Sequence, residues 1–414
     1  GLPRLRTAQG RFQPLGPRLT MTDTRPGADT CTLWGGALSL YTGKVRSYLI
    51  KKGVPYREFY ASHPDFQARI RPVVGLGVTP VLETPEGDIL QDSTEIIEAM
   101  ERRLPERPMI PATPVLRALA WLLDAFASEH LLAMAMHFRW AEPHISLQRS
   151  FLQAEFGRAS YLGTDKVARD QAGARMVSYF SSMLGPLGSN AHTAEAIEAE
   201  FLDLLDVLDG HFQHVPYLLG GHPSLADFGF MAPLFAHLGR DPAPAQIMRL
   251  RAPNVARWIE RMNLAVIPDG EFPDVAPAFD AEDRVPPTLL PLLTLIFSDW
   301  TPELQANAQA FNAWATAHPD LPDGAFVALD GKKRVHPHVG PIAYPWRGCT
   351  VERLSAPQTL WHFGRFQQQL AACDGEGRDR LQKVLEQAGG QEACALKPAR
   401  PIQRRHYGLV LGPS

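Results

Sequence analysis

Residues 33–56 read LWGGALSLYTGKVRSYLIKKGVPY, and this stretch decides how the first part of the chain is interpreted. The segment 30–35 is rich in β-forming side chains and predicts a short strand. Apolar residues recur at helical spacing after the loop that ends at Tyr41, which predicts an amphipathic helix. We expect Thr42 to cap the start of this helix and Gly53 to end it.

The pattern continues outward from this strand and helix. It predicts a second strand at 55–60 and a short helix or irregular segment at 63–74. Two strands joined by a turn follow at 79–83 and 89–91, and a closing helix at 92–104. An alternating βαβ unit followed by a β-hairpin and a helix is typical of a thioredoxin-like α/β layer. We therefore expect a thioredoxin-like domain over residues 30–105.

A proline-rich linker, 105–113, separates this domain from a region of different character. Long periodic segments with almost no strand signal predict an all-helical domain over 114–264. The predicted helices are 114–140, 146–161, 165–186, 193–215, 225–239 and 253–264. Ser224 and Asp227 have the spacing of a capping box at the start of one of them.

The two ends of the chain are interpreted separately. Residues 1–29 are expected to form a disordered leader, because 1–21 contain four arginines, no acidic residue and no apolar segment of the kind found in secretory signals. Residues 265–400 predict a mixed α+β extension, with a helix opening at Thr301-Pro302 and a hairpin around Asp330-Gly331. Residues 401–414 are expected to form a basic, mobile tail.

Composition excludes several classes of protein. A chain of 414 residues at roughly 150 residues per domain predicts two or three domains. The net charge of −3 argues against a nucleic-acid-binding protein, and no apolar stretch is long enough to predict a membrane span. The four cysteines form no Cys-x-x-Cys pair, so a cytoplasmic location is expected. We expect no metal site, since no third ligand follows or precedes His336 and His338 at a spacing typical of metal-binding motifs.

In four segments, taken together, the sequence resembles the cytosolic glutathione transferases. These are LWGGALSLYTGKVRSYLIKKGVPY (33–56), GVTPVLETPEGDILQDSTEII (77–97), YLLGGHPSLADFGFMAPL (217–234) and APNVARWIERM (252–262). Residues 133–144 and 151–161 resemble long bacterial members with a C-terminal extension. The resemblance implies a thioredoxin-like domain followed by an all-helical domain, glutathione as cosubstrate, and a homodimer.

The resemblance places Ser39 at the position of the family's catalytic Ser or Cys. Its hydroxyl would donate a hydrogen bond to the glutathione sulfur and favour the thiolate, near the N-terminus of the first helix. Family members usually have Pro at the next position, whereas this chain has Leu40. Tyr41 and Thr42 offer alternative hydroxyls. A structural interpretation stays open, in which Ser39 only turns the loop and Thr42 only caps the helix.

Thr79-Pro80 matches the residue and cis-proline that bind the cysteinyl backbone of glutathione in this family. Asp92-Ser93 matches the acidic residue and serine that bind the γ-glutamyl ammonium and carboxylate. The spacing of Asp92 and Glu95 is also that of a capping box, which is compatible with binding. Lys44 is a further candidate for a glutathione carboxylate.

The second substrate is expected against the first long helix of the helical domain. His130, Met134, His137 and Phe138 are the candidate pocket residues, although an aromatic and methionine stripe at this spacing is more often core. A serine at position 39 favours addition or substitution over thiol exchange. The predicted function is thus conjugation of glutathione to a hydrophobic electrophile, in detoxification. Two alternatives stay open: a non-catalytic ligand-binding or interaction protein, and a glutathione-dependent peroxidase or lyase.

Overall fold

The computed structural model describes residues 23–413. A four-stranded sheet with strand order β2-β1-β3-β4 begins the fold. Its strands are β1 (Cys31–Trp34), β2 (Tyr56–Phe59), β3 (Val81–Glu83) and β4 (Ile89–Gln91). Strand β2 pairs with β1 in parallel, and the other two pairs are antiparallel. This arrangement confirms the predicted thioredoxin-like domain.

Helices cover both faces of this sheet. They are α1 (Leu40–Lys52), a π-helical turn (Phe66–Ile70), α2 (Arg71–Val74) and α3 (Ser93–Arg103). Successive side chains of β1 point to opposite faces of the sheet. Leu33 accordingly packs in the main core with α1 and α3, and Trp34 packs in a second cluster with Phe66 and Ile70.

The start of α1 differs by a few residues from the prediction. Ser39, and not Thr42, is the N-cap, since its side chain accepts a hydrogen bond from the Thr42 amide. Gly53 ends the helix as predicted, with φ at 75° in the left-handed region that glycine adopts at least cost. The helix therefore begins one residue after Ser39.

Residues 23–29 correct the expectation of a disordered leader up to residue 29. Thr24 is fully buried, and its carbonyl accepts a hydrogen bond of 2.7 Å from the Thr32 hydroxyl in β1. Gly27 and Thr30 form a β-bridge. The remainder of the predicted leader, residues 1–22, lies outside the described residues.

The all-helical domain is confirmed. Its helices are α4 (Pro114–Glu129), α5 (Leu131–Trp140), α6 (His144–Ser160), α7 (Lys166–Ser181), α8 (Ala194–Phe212), α9 (Leu225–Ala236), α10 (Pro242–Arg251) and α11 (Pro253–Met262). The predicted capping box of Ser224 and Asp227 is formed at the start of α9. Helix α10 was absent from the prediction, because Pro242 and Pro244 mask a helix that in fact begins at Pro242.

Helices α4 and α5 form one long apolar stretch. Contrary to the expectation that no stretch is long enough to span a membrane, Pro114–Trp140 could cross one by length and composition, and it is the only such stretch among residues 23–413. Its most apolar window is 89% buried inside the protein. Packing in the core therefore accounts for the apolar character of this stretch.

The extension folds into helices and two hairpins, which confirms its mixed character. Its elements are α12 (Leu290–Ala317), β5 (Pro341–Trp346), β6 (Cys349–Leu354), α13 (Pro357–Ala372), α14 (Gly375–Gln387), α15 (Gln391–Cys394), β7 (Ile402–Arg405) and β8 (Gly408–Leu411). Pro302 lies inside α12 and does not start a helix. The hairpin predicted around Asp330-Gly331 is absent from the described chain, where β5 and β6 pair instead.

The predicted mobile tail is wrong for residues 401–413. Strands β7 and β8 form an antiparallel hairpin, and Leu409, Val410 and Leu411 are buried. These apolar residues explain the difference, because they pack against the extension while Arg405 of β7 is exposed. The hairpin brings Arg404 close to the first domain.

Candidate functional site

Three loops meet at one end of the four-stranded sheet. Trp34 pairs with Val81 and Val81 pairs with Gln91, so the chain segments that follow β1, precede β3 and follow β4 lie side by side. These segments carry Ser39, Thr79-Pro80 and Asp92-Ser93. The structure therefore brings together the three parts of the site that the sequence predicts.

Ser39 has its side chain at the centre of this arrangement and is partly exposed. Its Oγ accepts hydrogen bonds from the Thr42 amide at 3.3 Å and from the Thr79 hydroxyl at 3.4 Å. Within residues 23–413 its own hydroxyl hydrogen has no acceptor. Ser39 thus caps α1, and this role leaves its hydroxyl hydrogen free of a partner in the described part of the chain.

The two alternative hydroxyls are used differently. The Tyr41 hydroxyl donates a 2.8 Å hydrogen bond to the Ser128 carbonyl of α4, and burial raises the pKa of Tyr41 well above its usual value. Thr42 is fully buried, and a Cβ at Gly35 would lie 2.4 Å from its Oγ1. The Thr42 side chain therefore packs directly against the backbone at Gly35, where a larger residue would clash. It does not face the other site residues.

The Thr79-Pro80 peptide bond is cis, as the resemblance implies. Thr79 is partly exposed and Pro80 is buried. Thr79 donates its hydroxyl hydrogen to Ser39, which links this segment to the start of α1.

Asp92 has an unusual backbone conformation for a residue with a side chain, with φ at 78° and ψ at 131°. Its Oδ1 accepts hydrogen bonds from the Thr94 and Glu95 amides and caps α3. Strained residues of this kind cluster at functional sites. The neighbouring Ser93 is buried, and its hydroxyl has no hydrogen-bonding partner in the described part of the chain.

The other carboxylate oxygen of Asp92 faces the extension. Gln358 of α13 donates to it at 3.4 Å, and Arg404 of β7 lies 3.7 Å away. Burial alone would raise the pKa of Asp92, but the nearby Arg404, His362 and Lys44 lower it. Asp92 is thus held as a carboxylate.

Two segments match known domains of one family. Residues 33–108 match the glutathione S-transferase N-terminal domain, and residues 191–261 match the glutathione S-transferase C-terminal domain. These two parts of the chain are therefore similar to the two domains of glutathione S-transferases. These matches support glutathione transferase activity in general. Among curated proteins, none matches this chain significantly.

Solved structures of glutathione S-transferases are similar in the same region. One from Rhodospirillum rubrum F11 is 16% identical, covers 63% of this chain and 97% of its own, and has a TM-score of 0.36. One from Ceriporiopsis subvermispora, in complex with glutathione, is 20% identical over 58% of this chain and 99% of its own, with a TM-score of 0.38. One from Methylobacterium radiotolerans, in complex with glutathione sulfonate, is 21% identical over 62% and 100%, with a TM-score of 0.32. These global scores are too low to support an argument about the site.

The Lys44 side chain does not reach the site. Its side chain has no exposed surface, and its Nζ lies 2.5 Å from Asp124 Oδ1 in α4. It also donates to the Thr94 hydroxyl at 2.7 Å. Lys44 therefore connects α1, α3 and α4 inside the protein, a position that does not support the predicted contact with a glutathione carboxylate.

The predicted electrophile residues lie on the far face of the α4–α5 stretch. His130, Met134, His137 and Phe138 are all buried. His130 and Met134 line a cavity of only about 20 Å³, which has room for about one water molecule. These four residues pack against α8 and the extension, so their positions do not support an electrophile pocket.

The opposite face of α5 points toward the loop that carries Ser39. Met136 and Trp140 pack in one cluster with Leu38, and Leu132 lies beside them, partly exposed. Residues 132, 136 and 140 repeat at helical spacing, so the sequence carried a signal for this face. It did not show which of the two apolar faces meets the loop.

The packing of the extension beside Asp92 could not be predicted from the sequence. Arg404 donates to the side-chain oxygen of Gln91 at 2.7 Å and to that of Gln358 at 3.2 Å. Its guanidinium lies 5.5 Å from the centre of the Trp361 ring. The only available signal was the basic composition of the C-terminal segment, which does not reveal where that segment packs.

Proposed function

We propose that this protein is a glutathione transferase in which the Ser39 hydroxyl donates a hydrogen bond to the glutathione sulfur. The observation that carries the proposal is the hydrogen-bonding pattern of Ser39. Its oxygen accepts from Thr42 and Thr79, which orients the hydroxyl and leaves its hydrogen for an acceptor outside the chain. A thiolate is such an acceptor.

The position of Ser39 supports the same chemistry. It is the N-cap of α1, a helix of 13 residues whose N-terminus carries a partial positive charge. An alkyl thiol has a pKa of about 8.5, so a hydrogen bond and a positive potential at the sulfur both increase the thiolate fraction at neutral pH. The thiolate then forms a bond to an electrophilic carbon of an epoxide, an activated halide or an enone. The halide leaves, or the oxygen that receives the electron pair takes up a proton.

The neighbouring loops supply the contacts for the rest of glutathione. The Thr79 backbone would pair with the cysteinyl backbone. Ser93 would bind the γ-glutamyl carboxylate at the N-terminus of α3 through its amide and its unpartnered hydroxyl. Asp92, held as a carboxylate, would bind the γ-glutamyl ammonium.

Arg404 extends this site in our proposal. Its guanidinium lies beside Asp92 and is only partly exposed, so it would face the same end of glutathione. A guanidinium can bind a carboxylate through two parallel hydrogen bonds. The extension would then contribute a residue to the glutathione site of the same chain.

The electrophile would lie beside Leu132, the partly exposed residue on the apolar face of α5 that packs on Leu38. This surface suits a hydrophobic compound and names no particular one. The cysteines are all free, and none forms a disulfide within residues 23–413, which supports a reducing, cytoplasmic location. A role in detoxification and a homodimeric state are further parts of the proposal.

One observation favours a non-catalytic binding protein as a second candidate. Asp92 already has Gln358 and Arg404 as neighbours, and Ser93 is buried, so the extension covers part of the site. If these contacts are permanent, glutathione has no access. Glutathione binding therefore separates the two candidates.

Calorimetry of the full-length protein with glutathione tests binding first. The transferase proposal predicts saturable heat, whereas no heat at millimolar glutathione would overturn it and support the second candidate. If glutathione binds, turnover of a chromogenic aryl halide tests Ser39. Ser39→Ala should lose activity by about 10²-fold or more while most affinity for glutathione remains, and the matched Tyr41→Phe variant should stay close to wild type. Equal activity in Ser39→Ala would refute the role of Ser39.

A further inference from the structure

We propose that His137, His144 and Glu198 form a binding site for a divalent cation of the zinc class, at the surface of the helical domain. One ligand atom from each residue lies within 4.8 Å of the others. The three residues come from separate elements, near the end of α5, at the start of α6 and in α8. The fold therefore brings Glu198 of α8 beside two histidines that are close together in the sequence.

The distances between the ligand atoms suit a bound ion. Glu198 Oε1 lies 3.4 Å from His137 Nε2 and 3.0 Å from His144 Nε2. Zinc bonds to nitrogen and oxygen are about 2.0–2.2 Å long, so neighbouring ligand atoms of a tetrahedral site are about 3.3 Å apart. The two distances from Glu198 Oε1 are close to this value.

A second layer of contacts orients the histidines. The His137 Nδ1 lies 2.9 Å from the hydroxyl oxygen of Ser189, a residue that is itself buried. This contact directs Nε2, the other ring nitrogen, toward Glu198. The Phe138 ring packs against His144, with 4.6 Å between ring centres. Metal-binding histidines are commonly held by a hydrogen bond at the nitrogen that does not bind the metal.

The donor set of the cluster suits a divalent cation. The Nε2 atoms of His137 and His144 both face the same carboxylate oxygen of Glu198. Neutral imidazole is the form that binds metals, and a divalent cation would also neutralise the Glu198 carboxylate.

The cluster is open on one side. The Glu198 side chain is 43% exposed, whereas the His144 side chain is 10% and the His137 side chain 1% exposed. An ion would therefore enter from the side of Glu198, and its remaining coordination positions would face solvent. The site is separate from the end of the sheet that carries Ser39, because Leu38 packs on the other face of α5.

Titration of the full-length, chelator-treated protein with Co²⁺ tests this proposal. Co²⁺ replaces Zn²⁺ in such sites and gives visible absorption bands that report its coordination. We expect one equivalent to bind with the spectrum of nitrogen and oxygen ligands. His144→Ala and Glu198→Gln should each weaken binding by at least about 100-fold, and Ser189→Ala by about tenfold.

The controls distinguish this cluster from other ligands. His214→Ala removes an exposed histidine at the end of α8 and should leave the titration unchanged. A near-ultraviolet charge-transfer band from sulfur to cobalt would instead indicate one of the free cysteines. Circular dichroism of the His144 and Glu198 variants checks that each of them folds.

The melting temperature provides a second test that does not depend on the spectrum of the metal. Saturating Zn²⁺ should raise the melting temperature of the wild-type protein and of His214→Ala, and should leave that of His144→Ala unchanged. No binding of either ion, a sulfur-ligated spectrum, or equal binding by His144→Ala and Glu198→Gln would overturn the proposal. None of these measurements depends on glutathione, so they succeed or fail independently of the proposed function.

Discussion

The His130 ring lies between two buried carboxylates. Its Nε2 is 2.7 Å from Glu200 of α8, and its Nδ1 is 2.6 Å from Glu303 of α12. Arg353 of β6 is 3.0 Å from the same Glu303. Burial alone would lower the pKa of His130, but Glu200 and Glu303 outweigh it and raise the pKa to about 10. His130 is therefore a cation that joins the helical domain to the extension.

The raised pKa predicts a pH dependence of stability. In the unfolded chain His130 titrates at about 6.5, so its contribution is fully present below that pH and is lost as the pH rises toward about 10. The free energy of unfolding, measured by urea denaturation, should thus fall between pH 7 and 10.

His130→Gln provides the comparison. It should be less stable than wild type by about 3–5 kcal/mol at pH 7, because it leaves buried glutamates without their cation. The difference between the two proteins should shrink toward pH 10. An equal difference at both values would show that His130 is not the titrating group.

Lys44 provides a test of structural against ligand-binding roles. Lys44→Met should lower the free energy of unfolding by about 3–5 kcal/mol, since Asp124 is left buried without its partner. The double variant Lys44→Met/Asp124→Leu should recover part of this loss. The affinity of the folded protein for glutathione should stay unchanged in calorimetry. A selective loss of affinity with normal stability would restore Lys44 as a ligand residue.

The site residues differ in how well the sequence alone could predict their positions. Ser39, Thr79 and Asp92 could be placed because each lies in a short motif next to a strand or helix boundary. Lys44 and His130 could not, because their roles depend on partners that are distant in the sequence, Asp124 and Glu303 among them. Residue type and helical spacing alone do not distinguish a buried ion pair from a ligand contact.

The hairpin formed by β7 and β8 provides a matched pair of arginines. Arg404 is partly buried beside Asp92, whereas Arg405 is exposed on the next position of the same strand. Arg404→Gln should raise the KM for glutathione by about tenfold, the loss expected for one charged hydrogen bond. Arg405→Gln should behave as wild type. Equal effects of both changes would indicate a general electrostatic influence and not a contact.

The two faces of α5 provide a second matched pair. Met136 lies with Leu38 on the face near Ser39, and Met134 lies in the main core on the other face. Met136→Ala should change the KM for hydrophobic electrophiles and leave that for glutathione intact. Met134→Ala should instead lower stability by about 2–5 kcal/mol with little effect on either KM. The reverse pattern in steady-state kinetics and urea denaturation would contradict this assignment of the faces.

Local turn signals were the least reliable part of the prediction. Asp330-Gly331 predicted a hairpin, yet Phe326 forms a bridge with Val410, far along the chain. The observed turn between β5 and β6 uses Arg347 and Gly348, with φ at 42° and 79°. A strand edge accepts whichever partner the whole fold supplies, and a two-residue turn signal carries no information about that partner.

At the scale of the whole molecule, the main apolar core joins the sheet, the helical domain and the extension. The main apolar cluster includes Leu33 of the sheet, Phe126 of the helical domain and Phe363 of the extension. We therefore expect the protein to unfold in one cooperative transition. Phe363→Ala should lower the single melting temperature through a loss of about 3–5 kcal/mol, and Leu329→Ala, at an exposed site, should not. Two separate transitions in calorimetry would show that the extension folds independently.

The pKa of the glutathione thiol in the complex most directly tests the role proposed for Ser39. It can be measured from the ultraviolet absorbance of the thiolate as a function of pH, with the full-length protein saturated with glutathione. The proposed hydrogen bond from Ser39 predicts a pKa well below the value of about 8.5 for a free alkyl thiol, and a return toward that value in Ser39→Ala. A thiol pKa that is the same in both proteins would contradict the assignment of Ser39.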